Sequence, residues 1–457
     1  MSDLDRSLAV LVLAAGQGTR MKSARSKVLH EVAGRPMLAY PLAVAETLAP
    51  EHLVVVLGRD AEQVEAAFAG RARFVLQAEQ RGTAHAVQTA LPALGDFRGD
   101  VLILYGDTPL LRPESVARLV EQKAASGAPL VLLSSPEPLP GRVVRDAEGR
   151  VERIVEEPDA SPEELAIREG NTGVYLVDAG FLTKALSQLD DRNEQGELYL
   201  TDIVAVARRA GLSVEAIQLA DAEEALGVND RAELARAAAA QRRRNVERLM
   251  AAGVTFIDPA ASYVDTDVQI GADTVIEPGV VIRGPTRIGR SCHIKAHTVI
   301  ESSELGDACV LGPAAHVRPG STLSDGVRLG NYVEVKNSAL GAGVKADHLS
   351  YVGDADVGAG SSFGCGSITV NYDWSHKHRT TIGERVRIGC NVNLVAPLVL
   401  EDGAFVAAGT TVTKTVPEDG LAVSTGRQRN LEGWGARRRA RLQQRGTEDP
   451  GPGSEES

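Results

Sequence analysis

From Val264 to Val412 an aliphatic residue recurs at nearly every sixth position. The first run is Val264, Ile270, Ile276, Ile282, Ile288, Ile294 and Ile300, in unbroken phase. The phase slips by one and resumes through Leu305, Leu311, Val317, Leu323, Leu329 and Val335. After an interruption at 369–381 it returns as Ile382, Ile388, Leu394, Leu400, Val406 and Val412. A helix needs a period near 3.6 and an amphipathic strand a period of 2, so neither fits. Six residues suit a short strand plus a tight turn, and three such units close one triangular coil. The residue after the aliphatic is often glycine (Gly271, Gly289, Gly306, Gly312, Gly330, Gly383, Gly389), as a turn of positive φ favours. The fifth position is small (Val268, Thr274, Val280, Thr286, Cys292, Thr298), as a narrow core demands. The pattern predicts a parallel β-helix of hexapeptide repeats.

Residues 8–228 follow a different rhythm. Leu8–Leu13, Leu53–Leu57, Val101–Tyr105 and Leu130–Leu133 are short apolar runs bounded by Gly, Asp or Pro, and helical patterns such as Thr83–Leu94 separate some of them. That alternation predicts an α/β domain with a mostly parallel, Rossmann-like sheet covered on both faces. Residues 230–252 are rich in Ala, Arg and Glu and predict a connecting helix. The chain thus divides into an α/β domain (1–229), a linker helix (230–253), a β-helix (254–434) and a tail (435–457). The tail is basic at first (Arg437, Arg438, Arg439, Arg441, Arg445) and ends in Pro, Gly and acidic residues. Such a composition cannot form a core, so disorder is expected there, although the arginines also suit a frayed helical face.

At 457 residues the chain exceeds one ordinary core. With 43% hydrophobic and 24% charged residues it reads as globular. Its net charge of −12, with no compensating basic face, argues against a nucleic-acid partner. No apolar run approaches the roughly 18 residues of a membrane span, and the first residues lack a signal peptide's pattern. A cytoplasmic protein without membrane contact is expected. Of the four cysteines, Cys292 and Cys309 fall at small core positions, while Cys365 and Cys390 fall at turns. No C-x-x-C pair suggests zinc or a disulfide framework.

The chemistry begins where the first strand ends. LAAGQGTRM (13–21) follows a buried strand, where open α/β sheets bind ligands. It is neither a P-loop nor a full dinucleotide fingerprint. Gly16 and Gly18 let backbone N–H groups approach a phosphate, and Arg20 and Lys27 add positive charge. Taken alone, the segment reads equally as a tight strand–helix turn. Asp107 follows another apolar strand and could hold Mg²⁺, or simply cap a turn before Pro109. Gln77 and the Gly82-Thr83 turn offer groups able to read a base edge.

The segments LAAGQGTRM, SKVLH (26–30), QAEQRGTAHA (77–86), YGDTPL (105–110), IVEEPDA (154–160), NTGVYL (171–176) and GVND (227–230) occur in one order. With HLSYVGD (348–354) and VNYD (370–373), they resemble the bacterial bifunctional N-acetylglucosamine-1-phosphate uridyltransferase and glucosamine-1-phosphate acetyltransferase family. The likeness runs to about Trp434. The flat faces of a triangular β-helix predict a homotrimer packed about a three-fold axis, and the likeness implies a left-handed β-helix and small-molecule substrates only. It implies that Leu13, Ala14, Ala15, Gly16, Lys27, Gln77, Gly82 and Thr83 surround UTP, with Arg20 and Gly106 in the same substrate site. Tyr105, Gly141, Glu156 and Asn171 would hold the sugar phosphate, and Asp107 and Asn229 would ligate Mg²⁺.

In the second half, acetyl transfer from a thioester to an amine needs a base. A lone surface histidine is ordinarily solvated, yet His348 stands where HLSYVGD interrupts the period, near Arg318, Lys336 and Tyr351. Arg318 and Lys336 are one coil apart, so they should stack about 5 Å from each other. Two stacked cations call for an anion, unless each is solvated independently. The resemblance makes His348 the general base and Arg318, Lys336, Tyr351 and Ser362 the amino-sugar-phosphate site. Cys365, Asn371, Tyr372, Cys390, Ala408 and Thr425 would meet acetyl-CoA. Ser362, Cys365, Cys390 and Thr425 depart from the commoner family pattern, and Arg427 is expected to replace a cofactor-binding arginine absent at Thr425. The competing expectation is a single-activity sugar-nucleotide pyrophosphorylase whose β-helix only trimerises.

Overall fold

The apolar runs of the first half become the strands of one sheet. The computed structural model describes residues 7–424, 426 and 431–444. In chain order the sheet's strands are β1 (Leu8–Ala14), β2 (His52–Leu57), β3 (Arg73–Leu76), β4 (Asp100–Tyr105), β5 (Leu130–Ser135), β6 (Gly141–Arg145), β7 (Val151–Glu156), β8 (Gly170–Asp178) and β9 (Val214–Gln218). Their spatial order is β9-β5-β8-β4-β1-β2-β3, with β6 and β7 as a hairpin hung on β8. Pairing is parallel except around β8 and within that hairpin. Strands β1 and β4 are neighbours whose following connections leave in opposite directions, so their carboxyl ends form a switch-point crevice. The amide of Gly106 donates to the carbonyl of Leu13 at 2.9 Å and holds the two ends together.

The helix expected over 83–94 divides in two. It is α-helical over Thr83–Ala90 and tightens to a 3₁₀ turn over Leu91–Leu94. Pro92 explains the change, because it has no N–H for the α-helical ladder.

The linker helix spans Arg231–Ala251, and its N-cap Asp230 accepts from the Glu233 amide. Its first half buries Ala237 and Ala240 against Val32, Met37, Tyr40 and Leu110 of the α/β domain. Its second half buries Val246 and Leu249 at the start of the β-helix core. Buried Asn245 donates to the Val264 carbonyl at 3.0 Å. Across the same junction Thr266 donates its amide to the Ala33 carbonyl.

The β-helix has three faces of ten, nine and eight strands among the described residues, all parallel. Each strand pairs with the third strand after it, as one coil per three repeats requires, except at the end, where Phe405–Val406 pairs with Leu421–Ala422. The aliphatic positions predicted from the period form one continuous core. Burying each such side chain contributes roughly 1.5–3 kcal/mol.

Two expectations need correction. Past Val335 the repeats run on without a break through Leu340, Ala346, Val352, Val357, Phe363 and Thr369, all buried. The rhythm was hidden because one corner loses a residue on three coils. At those corners Ser302, Asn337 and Asp354 take φ of 41, 46 and 49°. HLSYVGD is therefore part of the coil and not an interruption. The glycines after the aliphatics are also not there for positive φ, which only Gly312 of the seven adopts. Gly289 shows the actual cause: a Cβ there would lie 2.5 Å from the Gly306 backbone of the next coil. Close stacking, not turn handedness, selects glycine.

In the tail, Trp434–Gln444 forms a helix, which matches the helical alternative for its arginines and not the disorder expected there. Its run of Ala, Arg, Leu and Gln has ample helix propensity even without a core to join. Thr425, Arg427 and Arg429 lie outside the described residues, as do residues 445–457.

Candidate functional site

At the β1–β4 crevice lies a cavity of about 400 Å³ lined by Leu13, Ala14, Ala15, Gly16, Lys27, Gln77, Gly82, Thr83, Tyr105, Asp107 and Asn229. Residues scattered over more than two hundred positions thus meet in one place. The Gly82-Thr83 turn is held by the loop before residue 200: Ala84 N–H donates to the Leu198 carbonyl, and the Leu200 amide donates to Thr83 Oγ1. Gln17, Gln80 and Glu197 also line the cavity, and the sequence reading gave them no role. Gln80 could have been found, since it sits inside the QAEQRGT motif; its amide donates to the Ala15 carbonyl. Arg20 is exposed in a short 3₁₀ turn at the rim and does not line the cavity.

Lys27 Nζ lies 2.6 Å from Asp107 Oδ2 and 3.2 Å from Asn229 Oδ1. Two hard oxygens therefore converge on one cation. Among the described residues no group of three or more His, Cys, Asp or Glu could hold a metal. The donor set fits Mg²⁺, which binds one or two protein oxygens and completes its shell with water and phosphate. Asn229 is placed by the linker helix: its amide donates to Glu233 Oε2 at 2.7 Å, beside the Asp230 cap.

Gly141, Glu156 and Asn171 lie outside the cavity lining but next to one another. Gly141 pairs with Glu156 across the β6–β7 hairpin, and a Cβ on it would sit 3.2 Å from that of Asn171. They adjoin Tyr105, whose phenol burial, with Glu156 and Asp107 nearby, holds protonated far above its usual range. Burial, helped by Asp202 and Asp159, likewise raises the Glu156 carboxyl. This end of the site is suited to neutral hydroxyl and amide groups, while the Lys27 end is suited to charge.

The β-helix residues gather around one face. Val317 pairs with Val335, and Lys336 pairs with Gly353, so Arg318, Lys336 and the Tyr351 strand lie on successive coils. The Tyr351 ring lies flat over Gly353, where a Cβ would fall 2.3 Å from the phenol oxygen. Arg318 is not a bare cation. Its Nη1 lies 2.8 Å from Glu334 Oε1, which raises its pKa. Lys336 and Lys377 sit together beside Asp354, and Lys336 holds the Lys377 ammonium below the usual lysine range. Glu334 and Lys377 were missed. Glu334 was legible, because residues two apart on a strand share a side, and Lys377 lies in the loop the period already marked.

Asn371 Nδ2 reaches the Tyr351 hydroxyl at 3.4 Å and also donates to Asp354. Burial alone would raise the Asp354 carboxyl, but bonds from Asn337 and Asn371 and the charge of Lys336 leave it lowered. His348 is exposed, pairs with Asn331 and directly precedes a corner at Leu349, with φ of 42°. Tyr351 lies just past that corner. The same corner continues up the helix: Gly366 N–H donates to Leu349, Asn391 to Cys365, and Gly409 to Cys390. Cys365, Cys390 and Ala408 thus form a column rising from His348. Ser362 pairs with Lys345 on the adjoining face, apart from Arg318 and Lys336. Tyr372 is half exposed and stacks obliquely on Trp374, 6.3 Å between centroids.

Comparison with known proteins agrees with both halves. The MobA-like NTP transferase domain family matches residues 10–197, and the bacterial transferase hexapeptide family matches 267–302. The bifunctional protein GlmU of Trichlorobacter lovleyi is 48% identical over 455 residues, covering 94% of this chain and 98% of that protein. Its counterpart in Pelobacter propionicus is 47% identical, covering 94% and 98%. That of a Geobacillus species is 46% identical, covering 93% and 96%.

Proposed function

The chain belongs to the family of bifunctional GlmU proteins, two-reaction transferases, and we propose which groups each of its sites holds. The left-handed β-helix acetylates glucosamine-1-phosphate, and the α/β domain then joins uridylate to N-acetylglucosamine-1-phosphate. The co-substrates are acetyl-CoA and UTP, and Mg²⁺ serves the second reaction.

In the first domain Gln77, Gly82 and Thr83 take the base, Leu13 to Gly16 the ribose and α-phosphate, and Tyr105, Glu156 and Asn171 the sugar. The sugar phosphate oxygen attacks the α-phosphorus, and the bond to pyrophosphate breaks. The nucleophile is already anionic, so no base is needed. Lys27 and Arg20 neutralise charge building on the phosphates. Mg²⁺ held by Asp107 and Asn229 would neutralise the triphosphate, which requires Lys27 to leave its present partners for a phosphate oxygen.

On the β-helix, Lys336, Lys377 and Arg318 hold the amino-sugar phosphate, with Tyr351 and Asn371 beside it. The amine attacks the thioester carbonyl, His348 takes the amine proton, and the CoA thiolate leaves and is protonated. The cofactor runs along the column of Cys365, Cys390 and Ala408. These residues lie open on the surface, and Trp374 is 89% exposed at the loop tip. That exposure supports a homotrimer in which a neighbouring β-helix closes each acetyl site. The reliance on nucleotide and CoA pools supports a cytoplasmic setting; among the described residues no helix is long and apolar enough to cross a membrane.

One observation carries the two-site reading: His348, before the corner at Leu349, and the cations Arg318 and Lys336, before the next corner at Asn337, flank one face of the β-helix, away from the residues that line the nucleotide cavity. A pyrophosphorylase with a purely trimerising β-helix needs neither. The test supplies glucosamine-1-phosphate, acetyl-CoA, UTP and Mg²⁺, and follows free thiol and pyrophosphate separately. Both should appear in sequence. Pyrophosphate only from pre-acetylated sugar phosphate, with no thiol ever released, would leave the single-activity alternative. Sedimentation should give a trimer, and a monomer active in acetyl transfer would defeat the shared-site proposal.

A further inference from the structure

Gln77 is 4% exposed, and its amide nitrogen is fully engaged inside the protein. Nε2 lies 3.2 Å from the Gly82 carbonyl oxygen and 3.0 Å from His85 Nδ1. A carbonyl oxygen can only accept, so the Gly82 contact fixes which end of the amide is nitrogen. The second Nε2 hydrogen then points to His85, whose Nδ1 must accept it with the ring proton on Nε2. Both donors are used within the protein. Among the described residues no donor reaches Gln77 Oε1, so what Gln77 offers to the cavity it lines is an acceptor.

His85 is well placed to set this orientation. It lies in the first turn of the Thr83–Ala90 helix, flanked by buried Ala84 and Ala86. The helix start is itself tied to the Leu198 carbonyl through Ala84 N–H at 2.9 Å. The backbone that carries its ring is therefore held beside Gly82, the other restraint on Gln77.

We propose that His85 is a positioning residue: by accepting from Gln77 Nε2 it locks Oε1 toward the base and so selects uracil over cytosine nucleotides. The proposal rests on reading the cavity as the UTP site. Uracil carries a hydrogen on its N3, which can donate to Oε1, whereas cytosine presents a lone pair at the same atom. A buried acceptor facing a lone pair is left unpaired, and sites built on such bonds reject the wrong ligand strongly. Without His85 the amide keeps only its Gly82 restraint. It can then turn its NH₂ group toward the base, which suits cytosine better and uracil worse.

The experiment compares kcat/KM for UTP and CTP, with N-acetylglucosamine-1-phosphate as acceptor, in the wild type and in His85→Ala, His85→Phe and His85→Asn. The wild type should strongly prefer UTP. His85→Ala and His85→Phe should lower the UTP/CTP ratio about 5- to 10-fold, the worth of one hydrogen bond. Asn can accept through Oδ1, so His85→Asn should restore the ratio to within about twofold, which a loss of packing alone would not explain. Phe keeps the ring volume and covers the case in which Ala fails to fold. A ratio unchanged in His85→Phe, with any rate loss shared by both nucleotides, overturns the proposal. A wild type that prefers CTP overturns it too. A wild type that uses neither nucleotide instead overturns the UTP reading of the cavity.

Discussion

The α/β domain encloses its site, whereas the β-helix displays one. In the first, the carboxyl ends of β1 and β4 stop side by side, and the loops beyond them wrap a cavity of about 400 Å³. Its lining residues run from Leu13 to Asn229, all of them before the linker helix. In the second, strands of two to four residues have no long carboxyl edge from which loops could build a crevice. Chemistry has to be laid out as columns of side chains on faces and corners, which one helix leaves exposed. The lesson is that a coiled scaffold places residues by register, at low cost in loops, but builds no walls around them. A sheet with a switch point supplies its own walls.

The comparison breaks apart most sharply with His348→Ala. Acetyl transfer should fall by roughly 10²–10⁴, the worth of a positioned base. Uridylyl transfer from pre-acetylated sugar phosphate should stay at the wild-type rate. Parallel loss of both activities would show that the histidine supports the fold and not the chemistry.

Asp107→Asn should give the mirror image at a somewhat smaller scale. Removing the charged oxygen that faces Lys27 at 2.6 Å should lower uridylyl transfer by about 10²–10³. Thiol release from acetyl-CoA should be unaffected. Uridylyl transfer persisting at ordinary Mg²⁺ concentrations would remove Asp107 from the ligand set.

The same contrast governs what was legible in the chain itself. The β-helix core could be read because one aliphatic per six residues is a strong local signal. HLSYVGD reads as an interruption because corners at Asn337 and Asp354 drop a residue while the coil continues. The glycines were legible as a pattern but not as a cause, since the backbone of the next coil is invisible from local spacing. Lys27 and Gln77 are legible from charge and side-chain chemistry, but Asn229 enters only through family likeness, because nothing local brings positions 27 and 229 together. The Gln77–His85 bond depends on side-chain direction, which no period encodes.

Lys377→Ala sharpens the surface half of the comparison. Lys336 already depresses the Lys377 ammonium, and a bound phosphate would relieve that repulsion. The KM for glucosamine-1-phosphate should rise roughly tenfold, with kcat and the acetyl-CoA KM nearly unchanged. The pH dependence has a fixed sign. A depressed lysine is charged at low pH and loses its proton below the ordinary value of about 10.4. The wild-type KM should therefore climb on the alkaline side earlier than an ordinary lysine would make it, and the variant should lack that part of the rise. An unchanged KM in Lys377→Ala would leave Arg318 and Lys336 to hold the phosphate alone.

The smallest effect tests whether the two halves are mechanically separate. Asn245 is 2% exposed on the linker helix and donates to Val264 at the first coil of the β-helix. The other end of the same helix positions Asn229 through Glu233. Asn245→Ala removes one buried donor and leaves the Val264 carbonyl without it, which costs about 1–3 kcal/mol. That loss should appear as a lower unfolding temperature, because the junction also has the Thr266–Ala33 bond and the packing of Val246 and Leu249. At 25 °C both activities should match the wild type, since neither His348 nor the Lys27–Asp107–Asn229 group touches Asn245. If uridylyl transfer alone declines while the protein remains folded, the helix transmits strain to Asn229. The enclosed site would then depend on the β-helix for more than attachment.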